Sequence, residues 1–76
     1  MDTLEKIREI VSQICDVPVE EVKETSMVGD FPAWDSIGHL SILSTVEEEL
    51  NVSFEPEEMM EMEDVKDIVK AVEEKQ

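Results

Sequence analysis

Apolar side chains recur every three or four residues along three separate stretches of the chain. This spacing places them on one face of an α-helix, with polar residues opposite. Asp2 or Thr3 caps the first stretch, and Pro18 ends it. The second stretch covers residues 36–50, and the third follows a capping Asp64. The apolar positions of the three predicted helices are Leu4, Ile7, Ile10, Val11 and Ile14; Ile42, Leu43, Val46 and Leu50; and Val65, Ile68, Val69 and Val72.

Two shorter features complete the predicted architecture. Residues 16–35 form a long connection, in which Pro18 to Val22 predicts one helical turn, and Pro56 opens a short helix that ends near Met60. No strand pattern, repeat or linker is present. The sequence therefore predicts one domain over residues 1–76 with an all-α fold. This fold is a four-helix bundle of three longer helices and one short one, with a long loop between helices 1 and 2.

Composition limits what the core and its chemistry can be. Hydrophobic residues make up 41% of the chain and aromatic residues only 4%, which predicts a compact fold with an aliphatic core. The single Cys15 excludes an internal disulfide framework and a multi-cysteine metal site, and we expect it to pack as a small hydrophobe. Met59, Met60 and Met62 are either flexible core filler or an adaptable lining for a guest chain, and we favour filler.

The charge balance is extreme, with 21 acidic against 6 basic residues and a net charge of −15. Nucleic acid is excluded as a partner because phosphate binding needs a basic surface. Insertion into a membrane is not expected, and we expect a cytoplasmic monomer whose partners carry basic patches. The acidity also keeps a protein in solution, so charge alone does not decide its role. No EF-hand spacing appears, and we expect no metal site.

The segment around Ser36 carries the candidate chemistry. Pro32 keeps Phe31 out of helical geometry, Asp35 is a good helix N-cap, and Ser36 follows as the first helical residue. Unpaired N–H groups and the positive end of the helix dipole meet at such a position, which favours an anion and in particular a phosphate. The simpler interpretation of Asp35 and Ser36 is an ordinary capped helix start, which favours no function.

Three neighbours of Ser36 are open to two interpretations each. Ile37 falls opposite the buried stripe, where it either contacts partner proteins or is a single exposed apolar residue. Gly38 either allows close approach of an enzyme or a tethered group to Ser36, or is simply tolerated near a helix end. His39 could serve Ser36 as a base, but it lies on the core side of the helix, and we predict a packed histidine.

With these residues laid out, the chain resembles the acyl carrier proteins of the phosphopantetheine-binding carrier superfamily. The resemblance covers nearly the whole chain, from the first helix and long loop through Asp35-Ser36-Ile37 to the short third and closing fourth helices. It implies a discrete, non-catalytic carrier that acts as a cosubstrate of partner enzymes. Gly38 and His39 depart from many fatty-acid carriers, which have an acidic residue or a threonine at these positions. Trp34 and His39 are more similar to carriers of specialised pathways, namely polyketide, peptidyl or single-purpose acyl carriers.

The resemblance also implies the cofactor, the site and the partners. Ser36 would carry a covalent 4′-phosphopantetheine arm, transferred from coenzyme A by a phosphopantetheinyl transferase, whose thiol holds acyl or aminoacyl groups as thioesters. Acyl ligases or transferases and synthases with basic docking patches would be further partners. The residues expected to contact partners are Asp35, Ile37, Leu40, Ser41, Ser44, Glu47 and Glu48.

Two other functions compete with the carrier. One is a carrier-like acidic adaptor or structural subunit that binds partners through helix 2 without an arm. The other is a stand-alone hydrolase that uses Ser36 and His39, which the chain length and the position of His39 disfavour. Replacement of Ser36 by alanine separates the carrier from the adaptor, because a carrier loses its function and an adaptor keeps its binding.

Overall fold

A computed structural model describes residues 2–75, and within that range the chain contains four α-helices and one short 3₁₀ turn. The helices are α1 (Thr3–Cys15), α2 (Ser36–Leu50), α3 (Pro56–Glu61) and α4 (Val65–Lys75), and the 3₁₀ turn is Val19–Glu21. Helix α1 packs against both α2 and α4, and the radius of gyration is 11.0 Å. The predicted all-α four-helix bundle with one short helix is confirmed.

The ends of the helices follow from single side chains. Asp2, Asp35 and Asp64 each accept a hydrogen bond from a backbone N–H two or three residues further on, at 3.3, 2.8 and 2.8 Å. These amides have no acceptor inside their helices, so the carboxylates stabilise the first turns. Helices α1 and α2 are followed by the C-terminal caps Asp16 and Asn51, whose φ angles of 58° and 56° are left-handed. Asp and Asn adopt this conformation more readily than most residues.

The three predicted apolar stripes form the core. Their most central side chains are fully or almost fully buried, and the others pack partly buried around them. The expectation of an aliphatic core is wrong at Trp34, which is completely buried and is the largest such side chain. The percentage of aromatic residues does not show how much of the core each one fills, so it does not indicate that one indole lies at the centre of this small core. Phe54 adds a second buried aromatic ring.

Arg8 holds the first half of the long loop against α1. Its Nε donates to the carbonyl oxygen of Val22 at 2.6 Å, and its Nη2 donates to that of Val19 at 3.0 Å. The same guanidinium forms an ion pair with Glu5. Val22 is fully buried beneath these contacts. The loop is therefore fastened by a charged side chain that bonds to its backbone.

The second half of the loop pairs with the connection between α3 and α4. The N–H of Val28 donates to the carbonyl of Glu63 at 3.0 Å, and the N–H of Val65 donates to the carbonyl of Ser26 at 2.9 Å. These bonds run between antiparallel segments without forming a sheet. They bring Met27 close to α3, and so they build one wall of the site described below.

Helix α4 remains regular as far as Lys75. The Lys75 ammonium lies 2.9 Å from the Glu58 carboxylate and 6.0 Å from the centre of the Phe54 ring. These two contacts hold the last turn of α4 against α3 and the segment that precedes it. Gln76 lies outside the described residues.

Candidate functional site

Ser36 is the first residue of α2, and its side chain is exposed. Asp35 precedes it in extended geometry and uses two oxygens to cap the helix. Its Oδ1 accepts from the N–H of Gly38 at 2.8 Å, and its carbonyl accepts from the N–H of His39 at 2.8 Å. Within residues 2–75, the N–H groups of Ser36 and Ile37 have no such acceptor. They point from the positive end of the helix dipole.

Ser36 differs in its setting from the other five serines of the chain. Ser12 donates its hydroxyl to the carbonyl of Val17 at 2.6 Å, and Ser26 is buried with its Oγ accepting from a backbone N–H. The remaining three are exposed, but Ser41 and Ser44 lie within α2 and Ser53 lies in the loop before the cap of α3. Ser36 alone among the six combines an exposed hydroxyl with a helix N-terminus.

An open groove of about 670 Å³ begins at Ser36 and runs between α2, α3 and the long loop. Its walls are mostly apolar, and Glu63 is the single charged side chain that lines it. The lining residues are Met27, Val28, Ser36, His39, Leu40, Pro56, Met59, Met60, Met62 and Glu63. A flexible apolar chain attached at Ser36 would have apolar surface directly beside it.

The methionines fill two roles at this groove. Met62 is 5% exposed and belongs to the core, which agrees with the prediction of core filler. Met60 is 82% exposed, so the prediction of filler is wrong for this residue. Because α3 is only six residues long, it covers too little of the core to bury every apolar side chain it carries. Both methionines and Met59 line the groove, as the alternative interpretation of an adaptable lining requires.

Gly38 is needed by the protein's own loop. A Cβ atom at this position would lie 2.0 Å from the carbonyl oxygen of Ala33, much closer than atoms can approach. The loop therefore crosses the first turn of α2 where only a hydrogen atom fits. Neither sequence interpretation, approach of a partner or simple tolerance, identified this contact.

His39 is buried, as predicted, and both of its ring nitrogens are occupied. Its Nδ1 accepts from the Nε1–H of Trp34 at 2.9 Å, and its Nε2 lies 2.7 Å from the carbonyl oxygen of Met62. Neither nitrogen is therefore directed at Ser36 as a general base. This arrangement removes the geometric basis of the hydrolase hypothesis.

The residues expected to contact partners lie in two settings. Most are exposed around Ser36 or along the outer face of α2, and Ile37 is 76% and Leu40 54% exposed. The exposed members of the predicted set are Asp35, Ile37, Leu40, Ser41, Ser44 and Glu48. Leu40 and Ser36 meet at the groove.

Glu47 is the member of this set that also has a clear structural task. It is half-buried, and its Oε2 accepts from the N–H of Phe54 at 2.7 Å. This bond fastens the segment after α2 to the helix. The neighbouring Glu49 pairs with Lys6 on α1 at 2.9 Å. Part of the acidic end of α2 thus holds the fold together.

Three further observations concern Cys15, metal binding and membrane spans. Burial raises the pKa of the Cys15 thiol, because the thiolate would lose its solvation, and this agrees with a packed and unreactive side chain. Among residues 2–75, no three His, Cys, Asp or Glu side chains are grouped as a metal ion would require. None of the helices in that range has the length and apolar character needed to cross a bilayer.

The arrangement around Ser36 fits a phosphodiester on its hydroxyl. Two N–H groups without acceptors and the helix dipole would stabilise its negative charge, and the groove would accommodate a flexible chain. A search of curated proteins finds no match to this chain. The model of the family described as "Phosphopantetheine attachment site" matches residues 5–72, which is nearly the whole chain. The protein therefore belongs to the phosphopantetheine-binding carrier family, whose cofactor is covalently bound 4′-phosphopantetheine.

Proposed function

We propose that Ser36 is the attachment residue and that the protein is an acyl carrier. The observation that carries this proposal is the position of the Ser36 hydroxyl, exposed at the start of α2 and at the mouth of the apolar groove. A transferase can reach such a hydroxyl without local unfolding. A cargo of acyl or aminoacyl type, held as a thioester by the terminal thiol of the bound arm, would then be presented to other enzymes.

The chain's own residues support this role by positioning the attachment site, and they catalyse no chemical step. Asp35 keeps the first turn of α2 formed, so the N–H groups of Ser36 and Ile37 would be available to hold a phosphate on the Ser36 hydroxyl. Leu40 and Met60 offer apolar surface next to the attachment point. We propose that the protein is non-catalytic and that the chemistry of its pathway belongs to its partners.

The proposed partners are proteins with basic docking surfaces. The net charge of −15 favours rapid encounter with such surfaces, and the exposed Ile37 and Leu40 supply apolar contacts beside Ser36. We propose a phosphopantetheinyl transferase, an acyl ligase or transferase, and a synthase in this role. The resemblance of Trp34 and His39 to specialised carriers favours polyketide, peptidyl or single-purpose acyl biosynthesis over general fatty-acid synthesis. The proposed setting is a cytoplasmic monomer.

Intact mass spectrometry tests the attachment directly. The protein is incubated with coenzyme A and a broad-specificity phosphopantetheinyl transferase, and fragmentation locates any adduct. We expect one phosphopantetheine increment on Ser36 in the wild type and none in Ser36→Ala. The matched control is Ser53→Ala, because Ser53 is exposed but lies in a loop, and this variant should be loaded like the wild type.

A folded wild-type protein that gains no increment would support the arm-free adaptor instead. In that case Ser36→Ala should keep partner binding, whereas charge reversal at Glu48 on the outer face of α2 should weaken it. An increment on another serine would refute the assignment of Ser36 while leaving the carrier role in place.

A further inference from the structure

His39 connects three segments that surround the attachment site. It lies one turn after Ser36 on α2, and its ring contacts Trp34 at the end of the long loop and Met62 at the end of α3. The Trp34 and His39 rings also stack, with centroids 6.1 Å apart and planes inclined by 23°. Trp34 is only two residues before Ser36, so the His39 side chain, by holding Trp34, can fix the position of the loop that leads to Ser36.

The partners of His39 determine its protonation state. The indole nitrogen of Trp34 can only donate a hydrogen bond, and the carbonyl of Met62 can only accept one. Both bonds form together only when the imidazole is neutral with its proton on Nε2. A proton on Nδ1 would place two N–H groups face to face at 2.9 Å. The geometry thus selects one form of the ring.

The Trp34 bond has the more direct effect on Ser36. The Trp34 carbonyl accepts from the N–H of Gly29 at 2.8 Å, and the Trp34 N–H donates to the carbonyl of Phe31 at 2.9 Å, so its backbone belongs to the loop. Its side chain is tied to α2 through His39. Met62, the second partner of His39, also lines the groove and lies far along the chain from Ser36.

We propose that neutral His39 is a positioning residue for the Ser36 site, which it acts on by holding Trp34 and with it the loop that leads into Asp35 and Ser36. This inference rests on the proposed function, because its effect on activity is the rate at which Ser36 is loaded. His39 touches neither the hydroxyl nor the phosphate. A misplaced hydroxyl lowers the rate of its reaction even when the fold is intact.

Two substitutions of His39 separate its two hydrogen bonds. In His39→Asn the side-chain oxygen takes the place of Nδ1 and can accept from Trp34. In His39→Gln the amide nitrogen takes the place of Nε2 and can donate to Met62. We expect His39→Asn to keep the wild-type kcat/KM for loading within about threefold, whereas His39→Gln and Trp34→Phe lose about tenfold or more. All rates are measured at a temperature where circular dichroism shows each variant folded.

Val72→Ala is the control for a loss of stability alone. Val72 is fully buried on α4 and does not line the groove, so this variant weakens the core without touching the Trp34–His39 bond. It should load at the wild-type rate while it is folded. If His39→Gln also loads at the wild-type rate, or if Val72→Ala slows as much as His39→Gln does, the positioning role is wrong and His39 is only a core residue.

Nuclear magnetic resonance provides a readout that does not depend on loading. Two-bond ¹H–¹⁵N correlation should show the proton of His39 on Nε2, and a proton on Nδ1 would overturn the proposal. The amide resonances of Asp35 and Ser36 should move in His39→Gln and stay in place in His39→Asn, and the reverse pattern would contradict it. A wild-type protein that is never loaded refutes the proposed function, and these spectra still decide the role of His39.

Discussion

Gly38 illustrates how the absence of one side chain determines the start of α2. Alanine is about 1 kcal/mol better than glycine within a helix, so propensity alone predicts that Gly38→Ala stabilises the protein. The new Cβ would lie 2.0 Å from the carbonyl oxygen of Ala33, and this clash should make Gly38→Ala destabilising instead. Because backbone must move to relieve this contact, we expect Gly38→Ala to lower the free energy of unfolding by about 1–3 kcal/mol. Chemical denaturation measures this change.

Ser44→Ala is the matched control for Gly38→Ala. Ser44 is exposed on the same helix, and the substitution to alanine should raise the unfolding free energy slightly, by about 0.5 kcal/mol or less. Equal stability of the two variants would mean that the loop moves aside at no cost, and the contact with Ala33 would then not constrain the helix start.

Asp35 has a structural task that must be separated from its proposed role in recognition. Its carboxylate accepts from the N–H of Gly38 at 2.8 Å, so Asp35→Ala should cost about 1 kcal/mol of stability. Asparagine caps a helix nearly as well, and Asp35→Asn should cost less than half of that. If the transferase recognises the charge, both variants are loaded more slowly than the wild type. Loading kinetics and denaturation curves measure the two effects independently.

Normal loading of Asp35→Asn would confine Asp35 to its role as a helix cap. Normal loading of Asp35→Ala, with the expected loss of stability, would show that neither the charge nor the cap affects the transferase. The two substitutions therefore distinguish charge from geometry at one position.

At the scale of secondary structure, the sequence is most informative where the determinants are local. The bounds of α2 follow from Asp35 and Asn51, which cap its two ends, and from the apolar spacing between them. The course of the long loop does not follow from such a pattern. It depends on Arg8, whose guanidinium bonds to backbone carbonyls, and on backbone pairing with the α3–α4 connection. A hydrogen bond to a backbone group places little constraint on the residue type at that position, so it cannot be recognised from the sequence.

The same distinction applies to the candidate site. Ser36 and the exposed Ile37 could be identified from the pattern of one helix. The groove could not, because it is formed where three segments converge, and Met27 comes from a loop with no periodicity. His39 was correctly placed on the buried face, but its bond to Trp34 joins two residues whose contact depends on how the loop folds back.

Glu58, at the contact between α3 and α4, makes the stability of the protein depend on pH in the acidic range. The backbone N–H of Glu55 donates to the Glu58 carboxylate, and Lys75 lies beside it, and together they hold the pKa of Glu58 below its usual value of 4.5. A lowered folded-state pKa stabilises the fold above the unfolded-state pKa, and this contribution is lost as the pH falls through the folded value. The stability difference between wild type and Glu58→Gln should therefore shrink as the pH falls below about 4.5. Urea denaturation across that range measures it.

Lys75→Met tests the order of the two causes at Glu58. The hydrogen bond from the Glu55 amide is the largest single cause of the lowered pKa of Glu58, ahead of the hydrogen bond and the charge of Lys75, and it remains in this variant. The unfolding free energies of Lys75→Met and of the double variant Lys75→Met/Glu58→Gln should therefore still differ in a way that depends on acid. This difference should be smaller than that between the wild type and Glu58→Gln. If no acid-dependent difference remained between these two variants, the Lys75 ammonium alone would cause the lowered pKa of Glu58.

At the scale of the whole molecule, repulsion among acidic side chains opposes the fold. Within residues 2–75 the ion pairs join Lys6 to Glu49, Arg8 to Glu5 and Lys75 to Glu58, and the net charge is −15. Salt weakens these pairs, but it also weakens a much larger number of repulsive interactions. We expect the second effect to dominate, so the melting temperature should rise with salt. A gain of about 1 kcal/mol corresponds to about 4–8 °C for a domain of this size.

The measurement is a series of thermal melts between about 0.01 M and about 1 M sodium chloride, over which the Debye length falls from about 30 Å to about 3 Å. A variant with Glu24, Glu61 and Glu73 changed to glutamine isolates the electrostatic part of the response. These side chains are exposed and take part in none of the three ion pairs. The variant should melt higher than the wild type at low salt and gain less from added salt, because less repulsion remains to be screened. Equal salt slopes in both proteins would mean that the ions act by some means other than screening of the acidic surface, and the melting temperature would then not report on repulsion.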